Sequence, residues 1–208
     1  MVKLTIDGIQ VEAEKGTSIL HAAESVGIEV PTLCYIKDLL PDGSCRMCMV
    51  EIENRGRTKM ETACTAQVAE GLVVTTNSEK VRNARRNILD MLLSNHKTDC
   101  FSCPSNGDCK LQELCFEYGI ERTTYSGEQT ELPIDDSNKF FTYNPNLCIL
   151  CHRCVNTCHK IVGRGAIDTM ERGFDSAIGT PFHIDWADTN CESCGNCVQA
   201  CPTGALTM

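Results

Sequence analysis

The sequence predicts an α+β protein made of small modules rather than one large core, and three observations lead there. Alternating apolar residues open the chain, helical spacing takes over near residue 78, and a four-cysteine run occurs twice toward the end. Cysteine accounts for 16 of the 208 residues, and the apolar fraction of 42% counts them. Aromatic residues make up only 5%, a thin supply for burying a chain this long around a single core. Something besides hydrocarbon must help to hold the chain, and cysteine chemistry is the candidate.

Charge and patterning exclude several classes. The net charge of -9 argues against a nucleic-acid binder, which needs a basic stripe. No apolar run reaches the ~18 residues that a membrane span requires, so no membrane insertion is expected. The start, Met1-Val2-Lys3-Leu4-Thr5-Ile6-Asp7-Gly8, lacks the apolar stretch of a secretory signal and predicts a cytoplasmic protein. In that compartment dense cysteines bind metal more often than they form a disulfide framework.

Residues 1–78 read as the first domain. Val2, Leu4 and Ile6 alternate, Asp7-Gly8 turns, and Ile9 and Val11 resume, which predicts a hairpin. Thr17 or Ser18 can cap a helix with Ile19, Ala22, Ala23 and Val26 on one face and Gly27 at its end. Leu72-Val73-Val74-Thr75 is a further strand. Hairpin, helix and cysteine loop together resemble the β-grasp shape. Residues 79–119 form a small helical domain. Ser78 can cap a helix on which Val81, Ala84, Ile88, Leu89 and Leu92 fall at helical spacing, and a second helix over 111–118 stops at Gly119. Residues 120–139 are polar and aperiodic, with Pro133, and predict a linker. Residues 140–208 carry the duplicated runs.

Those runs are Cys148-x2-Cys151-x2-Cys154-x3-Cys158 and Cys191-x2-Cys194-x2-Cys197-x3-Cys201-Pro202. A [4Fe–4S] cube needs four soft anionic ligands, and the C-x2-C-x2-C spacing lets one tight loop supply three of them. The fourth cysteine opens a segment that points away and serves the other cube. The expected sets are therefore Cys148, Cys151, Cys154 with Cys201, and Cys158 with Cys191, Cys194, Cys197. His159 stands where the bacterial ferredoxin run has proline. Zinc is the competing occupant, but its modules pair two-cysteine knuckles rather than runs of four.

The first domain has Cys34-x10-Cys45-x2-Cys48-x15-Cys64, close to plant-type [2Fe–2S] ligation although its early spacing is longer. Zinc competes more seriously there. The second domain has His96-x3-Cys100-x2-Cys103-x5-Cys109, with Cys115 six residues on. From the residues alone two sets remain open, one with His96 and one with Cys115 in its place. Gly163-Arg164-Gly165 lacks the third glycine of a dinucleotide site and reads as a turn. His21, His152, His159 and His183 have no partner pattern for acid–base work, and His152 reads as a potential-tuning neighbour within a cysteine loop.

On these motifs the whole chain resembles the iron–sulfur N-terminal region shared by large [FeFe]-hydrogenase subunits, complex I 75-kDa-type subunits and some NAD-dependent formate dehydrogenase subunits. The resemblance implies a [2Fe–2S] cluster at Cys34, Cys45, Cys48 and Cys64. It also implies His96 as the ligand beside Cys100, Cys103 and Cys109, so that Cys115 stays free. One [2Fe–2S] and three [4Fe–4S] clusters then use fifteen cysteines and one histidine, and oxidised cores would move the net charge from -9 to about -16. The ferredoxin-like module at 140–208 points toward the hydrogenase and formate dehydrogenase branches. The family members continue into a catalytic domain, whereas this chain ends seven residues after Cys201, so no such domain is expected here. The expected role is non-catalytic. It is an electron-transfer subunit of a cytoplasmic NAD(P)H/ferredoxin oxidoreductase, of the electron-bifurcating hydrogenase type used in anaerobic metabolism. Its expected partners are flavin- and NAD(P)H-binding subunits and ferredoxin. A formate dehydrogenase or hydrogenase subunit and a free polyferredoxin carrier are the alternatives.

Overall fold

A computed structural model of the chain describes residues 1–129 and 131–208. The chain divides into two compact units, Met1–Leu89 and Asp90–Met208. The first is a mixed five-stranded sheet. Strand β1 (Val2–Ile6) pairs antiparallel with β2 (Ile9–Ala13), Leu4 opposite Val11, through the Asp7-Gly8 turn. Helix α1 (Ile19–Glu24) follows, capped by Ser18, whose Oγ accepts from the His21 N–H at 3.2 Å. Strands β3 (Met49–Asn54) and β4 (Arg57–Thr62) form a second hairpin around Gly56, and β5 (Val73–Thr75) lies between β1 and β3. The sheet order is β2-β1-β5-β3-β4, with β1 and β5 parallel. This is the β-grasp arrangement.

The core of this unit is aliphatic. Ile6, Ile19, Ala23, Val50 and Val74 are completely buried in one cluster that joins α1 to the sheet. The β3–β4 hairpin was not among the sequence expectations, although Val50 and Ile52 alternate and Asn54-Arg55-Gly56 turns. Helix α2 (Glu79–Leu93) begins where Ser78 Oγ accepts from the Val81 N–H at 3.2 Å, and it runs across the boundary between the units.

In the second unit, α3 (Lys110–Tyr118) buries Leu111, Leu114 and Tyr118 and ends at Gly119, whose φ of 66° suits a residue without a Cβ. Between 120 and 139 no helix or strand forms among the described residues, and residue 130 of the expected linker lies outside them. The stretch is nonetheless tied down. The Asp90 carboxylate accepts from the Thr123 and Thr124 hydroxyls at 2.9 and 2.6 Å, and Asp135 bridges to Tyr143.

Residues beyond 140 form two short ladders, β6 (Thr142–Tyr143) with β9 (Leu206–Thr207) and β7 (Asp168–Met170) with β8 (Ala177–Gly179). Two short helices, α4 (Arg153–Asn156) and α5 (Asn196–Ala200), pack against each other. A π-helical turn, Thr157–Val162, continues α4. Trp186 anchors this part, meeting Phe141 and Tyr143 edge-on with ring centroids 5.0 Å apart. Cys154 belongs to the same buried cluster, and further cysteines and valines pack against it, Cys103 from outside the module among them. Among the described residues no helix is long and apolar enough to cross a membrane.

Candidate metal centres

The two cysteine runs fold alike. Leu150 and Ser193, each two residues after the first cysteine, have φ of 52° and 55°, and their N–H groups donate to Cys148 Sγ at 3.4 Å and Cys191 Sγ at 3.3 Å. His152 and Gly195, the N-caps of α4 and α5, also lie in the left-handed region, at 60° and 74°. The left-handed region is unfavourable for side-chain-bearing residues. These turns point successive thiols into one hollow and aim backbone donors at them, which favours the anionic sulfur that binds metal.

The hollows draw from both runs. One is lined by Cys148, Cys151, Cys154 and Cys201, and the other by Cys158, Cys191, Cys194 and Cys197. Burial pushes the thiols of Cys148 to about 11 and of Cys151 to about 12. Cys154 is raised by burial first and then by the charges of Cys148, Cys151, Cys201 and Cys197. Cys197 is raised to about 12 by burial and by Cys191, Cys194 and Cys158. Four thiolates so placed repel one another, and a cationic core is what would let them ionise together. The Ala166 N–H donates to Cys158 Sγ at 3.3 Å, and the Asn196 amide to Cys194 Sγ at 3.5 Å.

In the first unit Cys34, Cys45, Cys48 and Cys64 are all buried free thiols. They fall into two pairs. Cys48 Sγ lies 3.3 Å from Cys64 Sγ. A hydrogen bond with Cys45 holds Cys34 well below the usual thiol range, and Cys45 is correspondingly pushed up. The Met47 N–H donates to Cys45 Sγ at 3.4 Å. Two thiol pairs in one loop system suit two neighbouring irons.

The third set lies between α2 and α3. His96 is buried, its Nδ1 has no hydrogen-bond partner, and burial lowers its pKa. A neutral imidazole with an orphaned ring nitrogen is the form that binds metal. Burial raises the Cys109 thiol, and Cys103 and Cys100 raise it further. Cys115 is buried on α3, pushed up to about 11 by burial and then by Cys109 and Cys100. Cys115 thus stands close to the set, beside the expected ligands.

This set shares a wall with the Cys201 hollow. Cys109 Sγ donates to the Pro202 carbonyl at 3.7 Å, and the Lys110 N–H bonds to the same oxygen at 2.9 Å. A Cβ on Gly204 would stand 2.8 Å from Cys103 Sγ, so any side chain there would force that thiol to shift. Gly204 and the Ala166 N–H carried no sequence signal. Among the described residues no three His, Cys, Asp or Glu side chains close on the point a single ion would occupy. A cube spreads its four sulfur ligands over four irons. The two four-cysteine hollows fit such a cube in their chemistry and grouping.

Ferredoxin-like frames holding grouped soft donors define an iron–sulfur protein. Comparison with known proteins places it further. Residues 1–79 match the 2Fe-2S iron-sulfur cluster binding domain. Residues 85–124 match the NADH-ubiquinone oxidoreductase-G iron-sulfur binding region, and 139–207 the ferredoxin-like domain of NADH-quinone oxidoreductase subunit 3. From end to end the chain matches the N-terminal 2Fe-2S and 4Fe-4S region of NADH-quinone oxidoreductase G/75-kDa-type subunits.

Three relatives each match 99% of the chain. The second G-type subunit of NADH-quinone oxidoreductase from Rhizobium meliloti is 43% identical, with 24% of its own length covered. The NADPH-Fe(3+) oxidoreductase subunit alpha of Geobacter sulfurreducens is 44% identical, also with 24% covered. The NADP-reducing hydrogenase subunit HndD of Solidesulfovibrio fructosivorans is 38% identical, with 36% covered. A chain in the crystal structure of an NAD+-reducing [NiFe]-hydrogenase in the H2-reduced state superposes with a TM-score of 0.90 at 29% identity, covering 99% of this chain and 86% of that one. The chain thus spans about a quarter to a third of the curated relatives it matches. Both NADH-quinone oxidoreductase and hydrogenase subunits match it throughout, so the 140–208 module does not by itself separate those branches.

Proposed function

We propose that this chain relays single electrons within a cytoplasmic, multi-subunit NAD(P)H-linked oxidoreductase, between a flavin-bearing subunit and a low-potential acceptor such as ferredoxin. The observation that carries the reading is the pair of hollows, each walled by four cysteines drawn from both runs, with the His96 set joined to one of them at Pro202. Iron–sulfur clusters supply reversible one-electron chemistry when bound, without bond-making by side chains. The chain's own work is to hold, bury and hydrogen-bond their sulfur ligands.

The proposed ligands are Cys34, Cys45, Cys48 and Cys64 for a [2Fe–2S] cluster. For three [4Fe–4S] clusters they are His96 with Cys100, Cys103 and Cys109; Cys201 with Cys148, Cys151 and Cys154; and Cys158 with Cys191, Cys194 and Cys197. The sulfur-bound backbone N–H groups of Leu150, Ala166 and Ser193 lower the cost of an extra electron at their ligands. A neutral imidazole in place of one thiolate does the same at the His96 set. The Lys110 N–H on the Pro202 oxygen ties the loop after Cys109 to the loop after Cys201, which keeps two of the ligand sets adjacent.

A hydrogenase-linked, electron-bifurcating assembly is the specific version of this reading. The hydrogenase names of one relative and one solved structure support it. The test is anaerobic purification of the native assembly with metal, sulfide and flavin analysis and identification of its subunits by mass. About fourteen irons per chain, after subtraction of partner clusters, together with flavoprotein partners is the expected result. Zinc in place of iron would overturn the reading, and a lone iron-loaded chain would make it a diffusible carrier.

A further inference from the structure

The two cysteine runs share their cysteine spacing and the valine after the third cysteine, and before the fourth cysteine one has Thr157 and the other Ala200. Their backbones part there too. After α5 the chain turns extended at Cys201 (φ -69°, ψ 124°), whereas after α4 it continues into the π-helical turn Thr157–Val162. π-turns are uncommon and concentrate at functional sites.

Thr157 is only 4% exposed, and its Oγ1 is buried with no hydrogen-bond partner. A buried threonine on a helix ordinarily donates to the carbonyl one turn back, and an orphaned hydroxyl costs the fold the solvation it gave up. Ala200 shows that this place in the run can be filled without a hydroxyl. Thr157 stands three residues after Cys154 and one before Cys158, so on helical geometry it shares a face with Cys154. Side chains on a helix lean toward its N-terminus, which aims Thr157 at the turn that carries Cys154.

We infer that the Thr157 hydroxyl donates a hydrogen bond to sulfur of the [4Fe–4S] cluster held by Cys148, Cys151, Cys154 and Cys201, and thereby raises its reduction potential. This rests on the ligand sets proposed above. The added electron makes the sulfur more negative and the O–H···S bond stronger, so the reduced form gains more from it. The sister centre receives no such hydroxyl from Ala200, so this bond is one difference between the two cubes.

The test is a potentiometric titration of the anaerobically purified, iron-loaded full chain, followed by electron paramagnetic resonance. Cys151→Ser, which alters one cube alone, marks the signal of that centre. Thr157→Val is expected to shift that centre to lower potential with the other signals and the iron and sulfide content unchanged. Thr157→Ser is expected to titrate as the unaltered chain does. Thr157→Ala carries the same expectation as Thr157→Val should valine crowd the site. An unchanged titration in both hydroxyl-free variants, or a shift confined to another centre, overturns the inference while leaving the ligand sets standing. Absence of iron and sulfide from the unaltered chain overturns the ligand sets themselves.

Discussion

The β-grasp unit and the module beyond residue 140 solve one problem, burying thiols for soft metals, on opposite terms. In residues 1–89 completely buried aliphatic and alanine side chains close a core between α1 and the sheet, and Cys48 and Cys64 are buried within it. Beyond 140 the strands are two or three residues long, the helices four and five, and cysteines make up much of what packs on Trp186. So small a hydrocarbon core falls short of independent stability. In the first unit the fold supports the centre. In the last module the centres support the fold.

Removing iron breaks or sharpens that contrast most directly. Chelation under reducing conditions is expected to strip amide protection from residues 140–208 while strands β1 to β5 stay protected, as read by hydrogen exchange with mass spectrometry. Equal loss in both regions would end the comparison. Next in size is Ile6→Ala, which opens a cavity under the sheet. It should cost about 2–5 kcal/mol in denaturant unfolding of the first unit, with or without iron. Gly204→Ala presses a methyl group on Cys103 Sγ. It should cost about 1–3 kcal/mol and alter the spectrum of the His96 centre, with the [2Fe–2S] signal untouched.

His96→Cys adds a negative ligand and should lower the potential of one centre alone; an unchanged titration would remove His96 from the set. Smallest is Asp90→Ala, which frees the Thr123 and Thr124 hydroxyls. Faster amide exchange confined to neighbouring residues of 121–125, with cluster content intact, is the expected result.

The sequence made the spaced cysteines legible because metal chemistry ties ligand spacing to geometry over a few residues, as in Cys148-x2-Cys151-x2-Cys154. The caps at Ser18 and Ser78 were legible for the same reason, being local bonds to a following N–H. The β3–β4 hairpin escaped because β4, Arg57–Thr62, has Met60 as its only apolar residue and so shows no alternation to pair with Val50 and Ile52. Long-range features left no local trace. Nothing near Gly204 marks its closeness to Cys103, and nothing at Thr157 marks a hydroxyl left without a partner. Likewise Asp135, read as part of a linker, accepts from the Trp186 N–H at 3.0 Å, fifty-one residues away.

The bond from Cys109 to the Pro202 carbonyl also sets a clock. Those two residues are 93 apart in the chain. A ribosome adding about 5–20 residues per second needs roughly 5–20 seconds to cover that distance. Through that interval Cys100, Cys103 and Cys109 have emerged while their neighbouring wall does not yet exist. Their thiols meet the cell's metals and oxidants unshielded. The four cysteines of the β-grasp unit are all delivered by residue 64, with the last strand of their sheet complete at Thr75. Maturation of the chain is therefore staggered. The first centre can be filled on the nascent chain, and the His96 set reaches its finished surroundings only once Pro202 and Gly204 have been made.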